Sequence, residues 1–301
     1  LEGTPVRMVV RERGDGNTKG LFLFRPWGGL TESKHSERGS EPGGKAEIGR
    51  RAGSGPTEGG CYQMTSLGII GGADGATAVI FMTGPDPKFW VMLALGGVLA
   101  YLLGSVDFGI LVSKYLYHDD IRTHGSGNAG STNILRTFGL KAALLTALGD
   151  IGKGAVSTLL GRFIVEWGTG DPALGVYGAY LAAFCAVCGH LWPIWFHFKG
   201  GKGVATAAGA ILATAPLVVL ALAAVFFALA FSTRIVSLSS VTVAALYPVF
   251  TFFYSGWMGY DVAFTFCAAV MGGLVIWMHR ANIKRLLNGT EYKFGQDKNK
   301  K

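Results

Sequence analysis

The sequence has few charged residues for its length. Only 15% of the 301 residues are Asp, Glu, Lys or Arg, whereas 50% are hydrophobic, and the mean hydropathy is +0.37. Soluble globular domains contain about 25% charged residues, so this composition excludes an ordinary soluble domain. It indicates a membrane protein.

Cysteine is also scarce. The four cysteines are Cys61, Cys185, Cys188 and Cys267, and the last three lie within apolar runs. A secreted disulfide framework is therefore not supported. Cys185 and Cys188 form a CxxC pair, but no second pair accompanies it, so we interpret both as packing residues. No spacing typical of metal ligands is visible, and we predict neither a metal nor a cofactor.

Basic residues outnumber acidic residues by 27 to 19, but they do not form an arginine-rich arm. They lie instead in the loops and tails that separate the apolar runs. Nucleic-acid-binding domains concentrate positive charge on one face or along one helix. We therefore predict no nucleic-acid partner.

Composition divides the chain into three parts. Residues 1–63 are rich in Gly, Arg, Ser and Glu and lack apolar periodicity, so we predict a disordered N-terminal extension. Residues 64–87 are a glycine-rich segment to which the sequence assigns no clear structure. Within it, Ser66–Phe81 resembles a short motif in beta subunits of sodium-pumping decarboxylases, but over 16 residues only, and no function follows. Residues 88–301 are predicted to form a membrane domain.

Long apolar runs in this third part predict membrane-spanning helices, each of which needs about 20 apolar residues. Five runs are clear: 89–112, 142–165, 175–196, 236–254 and 260–279. A sixth run is interrupted where Pro216, which lacks an amide donor, disfavours helix in the preceding residue. We predict two short helices there. The predicted fold class is all-α, a polytopic membrane bundle of about seven spanning or half-spanning helices.

The distribution of Lys and Arg predicts the orientation of this bundle, because these residues accumulate on the cytoplasmic side. The loops 113–141 and 197–203 and the C-terminal tail contain Lys and Arg, whereas loops 166–174 and 255–259 contain neither. We therefore expect the three basic segments, including the C-terminus, on the cytoplasmic face. This orientation requires the sixth run to cross and return, which agrees with two helices.

The first of three polar clusters covers residues 125–139, with the sequence GSGNAGSTNILRTFG. Its glycines fit GxGxxG, but no strand precedes them, so we do not predict a dinucleotide site. Glycines let backbone amides turn toward a phosphate, and Arg136 can hold two phosphate oxygens at once. We interpret this first cluster as a phosphate-binding loop. The alternative is a solvated turn with a helix cap.

The second cluster covers residues 189–205, with the sequence GHLWPIWFHFKGGKGVA. It does not fit the P-loop pattern, because Gly203 stands where Ser or Thr is required. Lys199 and Lys202 can nevertheless neutralise a phosphate. The alternative is that these lysines only set the topology, while Trp192 and Trp195 anchor the helix end at the membrane interface.

The third cluster covers residues 279–291, with the sequence HRANIKRLLNGTE, and follows the last apolar run. His279, Arg280 and Asn282 are candidate ligands of a polar substrate. The alternative is that Lys284 and Arg285 contact anionic lipid headgroups. The predicted topology brings all three clusters to one membrane face, which suits a substrate with an anionic head and an apolar tail.

In this order and spacing, the three clusters resemble the signature motifs of the acyl-phosphate glycerol-3-phosphate acyltransferase family, PlsY, and the resemblance covers about residues 88–294. Two positions depart from the family pattern. Asp107 stands where the family usually has proline, and Ala281 replaces a commonly acidic residue. The resemblance implies acyl transfer from acyl phosphate to glycerol 3-phosphate, which gives 1-acylglycerol 3-phosphate in bacterial phospholipid synthesis.

The resemblance also implies the site residues. The substrate-binding set is Ser126, Asn128, Thr132, Asn133, Arg136, Lys199, Gly200, Gly201, Lys202, Gly203 and Ser237. The catalytic set is His190, His279 and Asn282. Imidazole titrates near neutral pH, so His190 and His279 are candidate general bases, with a substrate phosphate oxygen as the alternative.

Other residues limit the possible mechanisms. Neither the GxSxG nucleophile motif nor an HxxxxD dyad is present, which favours direct attack on the acyl phosphate. Asp150 and Lys153 lie one helical turn apart in a predicted span, and we expect a paired structural role for them.

The same sequence features predict the partners of the protein and leave two alternative functions. Expected partners are acyl phosphate, glycerol 3-phosphate, membrane lipid and the soluble enzyme that makes acyl phosphate, at a bacterial cell membrane. A transporter or channel for an anionic metabolite is the main alternative, although no inverted repeat of the clusters is visible. A non-catalytic lipid-binding membrane protein is the second.

Overall fold

The computed structural model of the chain describes residues 86–295 and, before them, four strands. The strands are β1 Val6–Arg11, β2 Leu21–Pro26, β3 Met64–Gly72 and β4 Gly75–Met82. They form two separate antiparallel hairpins, β1 with β2 and β3 with β4. The other residues of the predicted extension lie outside the described part of the chain, so its disorder stays a prediction.

Within residues 86–295 the chain forms ten α-helices. They are α1 Pro87–Gly104, α2 Phe108–Leu116, α3 Ser131–Phe138, α4 Leu140–Thr169, α5 Gly175–Leu191, α6 Val204–Thr214, α7 Pro216–Thr233, α8 Val236–Met258, α9 Val262–Met278 and α10 Arg280–Leu287. Five segments are long and apolar enough to cross a membrane, and α9 with α10 forms a sixth that is bent by 61°. The predicted all-α membrane bundle is confirmed.

The first predicted span, 89–112, is not one helix. α1 ends at Gly104 and α2 begins at Phe108, because Asp107 caps the second helix through a 3.2 Å hydrogen bond that its Oδ1 accepts from the Ile110 amide. The Asp107 side chain is fully buried, and its Oδ2 has no hydrogen-bond partner within residues 86–295. The residue that departs from the family's proline is thus the N-cap that defines this break.

The predicted break in the sixth apolar run is present. α6 ends at Thr214, Ala215 is extended with φ of −145°, and Pro216 is the first residue of α7. Only α6 is short, with 11 residues, whereas α7 has 18 and is long enough to span. The expectation of two short helices was therefore wrong for α7, because its apolar run continues without another proline or charge to the end of the helix.

Glycines allow α1 to pack against α5, and α6 against α4, with almost no space between backbones. A Cβ atom on Gly104 of α1 would lie 2.3 Å from the carbonyl oxygen of Ala186 in α5. A Cβ atom on Gly154 of α4 would lie 2.1 Å from the carbonyl oxygen of Thr206 in α6. Small residues at such contacts are typical of membrane helices, whose association depends on close van der Waals packing. This packing fixes α4, α5 and α6, which form one side of the site.

Candidate active site

A cavity of about 420 Å³ opens between α3, α4 and the helices α6 to α10. Its deeper part is apolar and is lined by α6, α7, α8 and α9, with side chains that include Ile211, Leu222, Phe226, Val243, Tyr247 and Met271. Its mouth is polar. Eleven of the predicted site residues line the cavity: Ser126, Asn128, Thr132, Asn133, Arg136, His190, Lys202, Gly203, Ser237, His279 and Asn282. All three clusters therefore meet at one site.

Three predicted residues do not line this cavity. Lys199 is exposed to solvent, and Gly200 and Gly201 lie behind the wall, against His190. A Cβ atom on Gly200 would lie 2.1 Å from the His190 carbonyl oxygen, and one on Gly201 would lie 2.0 Å from His190 Nε2. These two glycines are required by the close approach of the loop to the histidine, and direct contact with a substrate is not needed to explain them.

The first cluster is organised by Asn133, the third residue of α3, whose side chain is buried. Its Nδ2 carries two hydrogens, which are shared among the carbonyl oxygens of Ile121, His124 and Asn128, at 3.3, 2.9 and 3.0 Å. Its Oδ1 accepts a 3.1 Å bond from the Ser126 amide. All the bonds of this side chain go to the loop, so Asn133 shapes the loop and leaves Ser126 and Thr132 at the cavity surface.

Two side chains, one within the first cluster and one just before it, bond to the second cluster. Asn128 Nδ2 donates to the Gly200 carbonyl oxygen at 3.4 Å, and Arg122 Nη1 donates to the Phe196 carbonyl oxygen at 3.1 Å. Arg122 is also paired with Asp120 at 2.7 Å, and this hydrogen-bonded contact lowers the pKa of the Asp120 carboxyl. The two loops are thus held together before any ligand binds.

Arg136 lies at the mouth, under the C-terminal segment. Its guanidinium carbon stands 3.8 Å from the ring centroid of Tyr292, which is a cation–π distance. Its Nε is buried and has no hydrogen-bond partner in the part of the chain that the structure describes. Burial, with a smaller contribution from Arg285, lowers the pKa of Arg136, although arginine stays charged at neutral pH.

Lys202 also lines the cavity and belongs to a hydrogen-bonded chain with the third cluster. Its Nζ donates to Asn282 Oδ1, and Asn282 Nδ2 donates to Glu291 Oε1 at 2.9 Å. Burial and repulsion from Arg285 lower the pKa of Lys202 to about 8, although the Glu291 carboxylate opposes them. Burial alone would raise the pKa of Glu291, but hydrogen bonds from Arg285 and Asn282 hold it below its usual value.

The two candidate histidines have different surroundings. His279 lies at the bend between α9 and α10, and its Nδ1 is 2.8 Å from the Val275 carbonyl oxygen. A carbonyl oxygen only accepts, so Nδ1 carries the hydrogen and Nε2 is left as an acceptor. His190 lies at the end of α5, where its Nδ1 is 2.9 Å from Lys153 Nζ.

Asp150 and Lys153 form the expected pair. The Lys153 Nζ lies 2.8 Å from Asp150 Oδ1, and both side chains are only 1% exposed. The pair also contacts a site residue, since His190 Nδ1 lies 3.5 Å from the same carboxylate oxygen. Asp150 itself lines the cavity.

Sequence reasoning assigned no role to Glu291, the last residue of the third cluster, or to Tyr292, which follows it. The one available signal for Glu291 was an acidic residue within a strongly basic tail, and no local pattern pointed to Tyr292. Ser240, one helical turn after Ser237, also lines the cavity and was not predicted. Ala281, the second departure from the family pattern, is exposed and does not line the cavity.

Comparison with protein families finds a match to the model described as glycerol-3-phosphate acyltransferase, over residues 94–289. A glycerol-3-phosphate acyltransferase of Clostridioides difficile (strain 630) is 46% identical over 201 residues, which cover 67% of this chain and 95% of that protein. Another, from Neisseria meningitidis serogroup B, is 42% identical over 198 residues, which cover 65% of this chain and 94% of that protein.

Solved structures give the same result. The crystal structure of PlsY, an integral membrane glycerol 3-phosphate acyltransferase, in its glycerol 3-phosphate form has a TM-score of 0.58 and 37% identity. The match covers 67% of this chain and 96% of that one. The lysophosphatidic acid form of PlsY has a TM-score of 0.57, 36% identity and 67% and 95% coverage. The similarity lies in the helical part of the chain that contains the three clusters.

Proposed function

Because the chain belongs to the glycerol-3-phosphate acyltransferase family, we propose that it transfers a fatty acyl group from acyl phosphate to the primary hydroxyl of glycerol 3-phosphate. The products are 1-acylglycerol 3-phosphate and inorganic phosphate. The observation that carries this proposal is one cavity with a cationic, glycine-rich mouth and an apolar interior. Such a cavity suits a donor with a phosphate at one end and an acyl chain at the other.

The chemistry needs positioning and charge neutralisation more than a protein nucleophile. An acyl phosphate is a mixed anhydride and is already activated. The glycerol hydroxyl attacks the acyl carbonyl, the bond from that carbon to the phosphate oxygen breaks, and phosphate leaves with the electron pair. The hydroxyl proton passes either to His279 Nε2, the acceptor nitrogen of that imidazole, or to a phosphate oxygen.

Two phosphates must approach one reaction centre, where their repulsion is strong because the dielectric is reduced. Arg136 and Lys202, which both line the cavity, supply the opposing charge. We assign the glycerol 3-phosphate phosphate to the first cluster, with Arg136, Ser126 and Thr132. We assign the donor phosphate to the second cluster, with Lys202 and the Gly203 N-cap of α6.

The chain is a multi-pass membrane protein, and we propose that it lies in the bacterial cell membrane with the cavity mouth and C-terminus on the cytoplasmic side. The concentration of Lys and Arg in the mouth segments supports this orientation. Acyl phosphate made by a soluble enzyme would then enter from the cytoplasm, while its acyl chain remains in the apolar part of the cavity.

One assay tests the proposal. Purified protein in detergent, given acyl phosphate and glycerol 3-phosphate, is expected to release phosphate in equal amount to the lyso-lipid formed. Acyl-CoA is expected to be a poor donor, because the second cluster holds the donor phosphate directly beside the carbonyl. A monodisperse preparation that forms neither product would contradict the proposal. Flux of glycerol 3-phosphate into liposomes without product would favour the transporter alternative.

A further inference from the structure

The buried Lys153 lies at the centre of a hydrogen-bond arrangement that the proposed reaction does not yet use. Its Nζ is 2.7 Å from the Val106 carbonyl oxygen, 2.8 Å from Asp150 Oδ1 and 2.9 Å from His190 Nδ1. An ammonium group has three hydrogens and no acceptor site. The Val106 carbonyl oxygen and His190 Nδ1 accept two of these hydrogens, and Asp150 is the carboxylate paired with the ammonium charge.

This arrangement fixes the tautomer of His190. A hydrogen on Nδ1 would face the hydrogens of the Lys153 ammonium at 2.9 Å, so Nδ1 must present its lone pair. The hydrogen of a neutral imidazole then lies on Nε2, because one ring nitrogen donates when the other accepts. Asp107 is the other carboxyl group near this imidazole, and its Oδ1 accepts the capping bond from the Ile110 amide.

The Nε2 atom of His190 faces the glycine loop of the second cluster. A Cβ atom on Gly201 would lie only 2.0 Å from it, and the Gly201 amide donates to the His190 carbonyl oxygen at 3.0 Å. Nowhere in residues 86–295 does a protein group accept a hydrogen bond from Nε2. His190 lines the same cavity as Lys202 and Gly203, the residues assigned to the donor phosphate.

From this geometry we propose that His190 donates a hydrogen bond from Nε2 to the phosphate of the acyl donor, and that Lys153 is the positioning residue that fixes the required tautomer. This inference rests on the proposed function. It assigns opposite roles to the two histidines. His279 presents an acceptor nitrogen and is able to take a proton, whereas His190 presents a donor and is not the general base.

Two substitutions distinguish three possible roles of His190: a hydrogen-bond donor at Nε2, a general base and a purely structural residue. His190→Gln carries an amide NH₂ to about the position of Nε2, whereas His190→Asn carries polar atoms only as far as Nδ1. A hydrogen bond to a charged group corresponds to roughly 10- to 100-fold in rate, so His190→Asn should lose that factor in kcat/KM for acyl phosphate. His190→Gln should retain clearly more activity than His190→Asn.

Higher activity of His190→Asn than of His190→Gln would overturn the proposal. Asn can still accept from Lys153, so a purely structural His190 would make His190→Asn the better variant. A general base would make both variants equally inactive. Elution as a monodisperse peak in detergent is required of both proteins, so that loss of folding is not read as loss of the hydrogen bond.

Nitrogen-15 NMR of histidine-labelled protein in detergent tests the tautomer without reference to activity. The His190 signals, assigned with His190→Gln, should show hydrogen on Nε2 and none on Nδ1, and the His279 signals should show the reverse. Titration with inorganic phosphate should shift His190 Nε2 in a saturable way. Hydrogen on His190 Nδ1 would overturn the inference even in an active enzyme. Absence of acyl transfer with the expected tautomers would instead contradict the proposed function.

Discussion

At the cavity mouth Arg136 is held by an aromatic ring, whereas Lys202 is held by a side-chain amide. Tyr292 stacks on the Arg136 guanidinium and leaves its buried Nε without a partner. Asn282 accepts from Lys202 and is itself bonded to Glu291. The first arrangement leaves hydrogen-bond donors available for a phosphate. The second places a cation among other charges that control its protonation.

Because of this difference, the two cations are expected to bind the two phosphates in different ways. A planar guanidinium that is always charged provides two fixed donors, whereas an ammonium with a pKa of about 8 provides a point charge that depends on pH. The C-terminal segment acts on both cations, because Tyr292 contacts Arg136 and its neighbour Glu291 belongs to the Lys202 network. Four experiments test this comparison, from the largest expected effect to the smallest.

Removal of the Arg136 guanidinium, a planar fork of two parallel hydrogen-bond donors, should have the largest effect. Arg136→Gln should lower kcat/KM for glycerol 3-phosphate by roughly 10- to 100-fold per lost charge-assisted hydrogen bond. Arg136→Lys should also lose much of the activity, because a point charge does not reproduce the fork. Steady-state kinetics on membrane-inserted protein measures both. Wild-type turnover by Arg136→Gln would mean that the first cluster is only a solvated loop.

The charge of Lys202 should set an alkaline limit. Its pKa is lowered to about 8, so the free enzyme loses this charge as pH rises through 8, and the phosphate-binding form is the one present below that pH. We expect kcat/KM to fall roughly tenfold per pH unit above about pH 8, after correction for spontaneous hydrolysis of the donor. Lys202→Arg stays charged and is the control, in which this decline should be absent. A wild-type profile that is flat to pH 9 would contradict the assignment.

Loss of the stacking ring should have a smaller effect. A partly buried cation–π contact contributes about 0.5 to 2 kcal/mol, so Tyr292→Ala should raise KM for glycerol 3-phosphate by roughly 2- to 30-fold. Tyr292→Phe should stay near wild type. Phe294→Ala is the matched control, because Phe294 packs near Phe231 and not on Arg136. Equal effects of Tyr292→Ala and Phe294→Ala would indicate a general role of the tail.

Truncation before Met64 should have the smallest effect. The removed residues contribute no cluster and no apolar span, so specific activity in membranes should not change. Western blotting of the membrane fraction provides the control for insertion. Loss of activity in an inserted truncation would show that the site depends on a region outside the three clusters.

Several features of the fold could be predicted because they depend on short stretches of sequence. The length of an apolar run decides whether a helix can span, and this predicted the helices around α4, α5, α8 and α9. The missing amide of Pro216 predicted the break before α7. Glycine-rich loops with Lys and Arg predicted which segments line the mouth, since their chemistry is present in each segment alone.

The break at Asp107 and the roles of individual site residues could not be predicted in this way. Whether Asn133 binds a ligand or its own loop depends on which carbonyl groups surround it, and one of them lies 12 residues away. The contact of Arg136 with Tyr292 joins residues that are far apart in the chain and only meet when α3 and the tail fold together.

The sequence by itself determined that this protein is a membrane helix bundle with three cationic clusters, two of them glycine-rich, because hydropathy and charge are local properties. Only the tertiary structure decided which nitrogen of each histidine is free. Lys153 reaches His190 from a position 37 residues earlier in the chain, whereas His279 bonds a carbonyl group one turn before it. A tautomer is set by the donor or acceptor that the fold brings to the ring, and the same imidazole therefore has opposite chemistry on α5 and after α9.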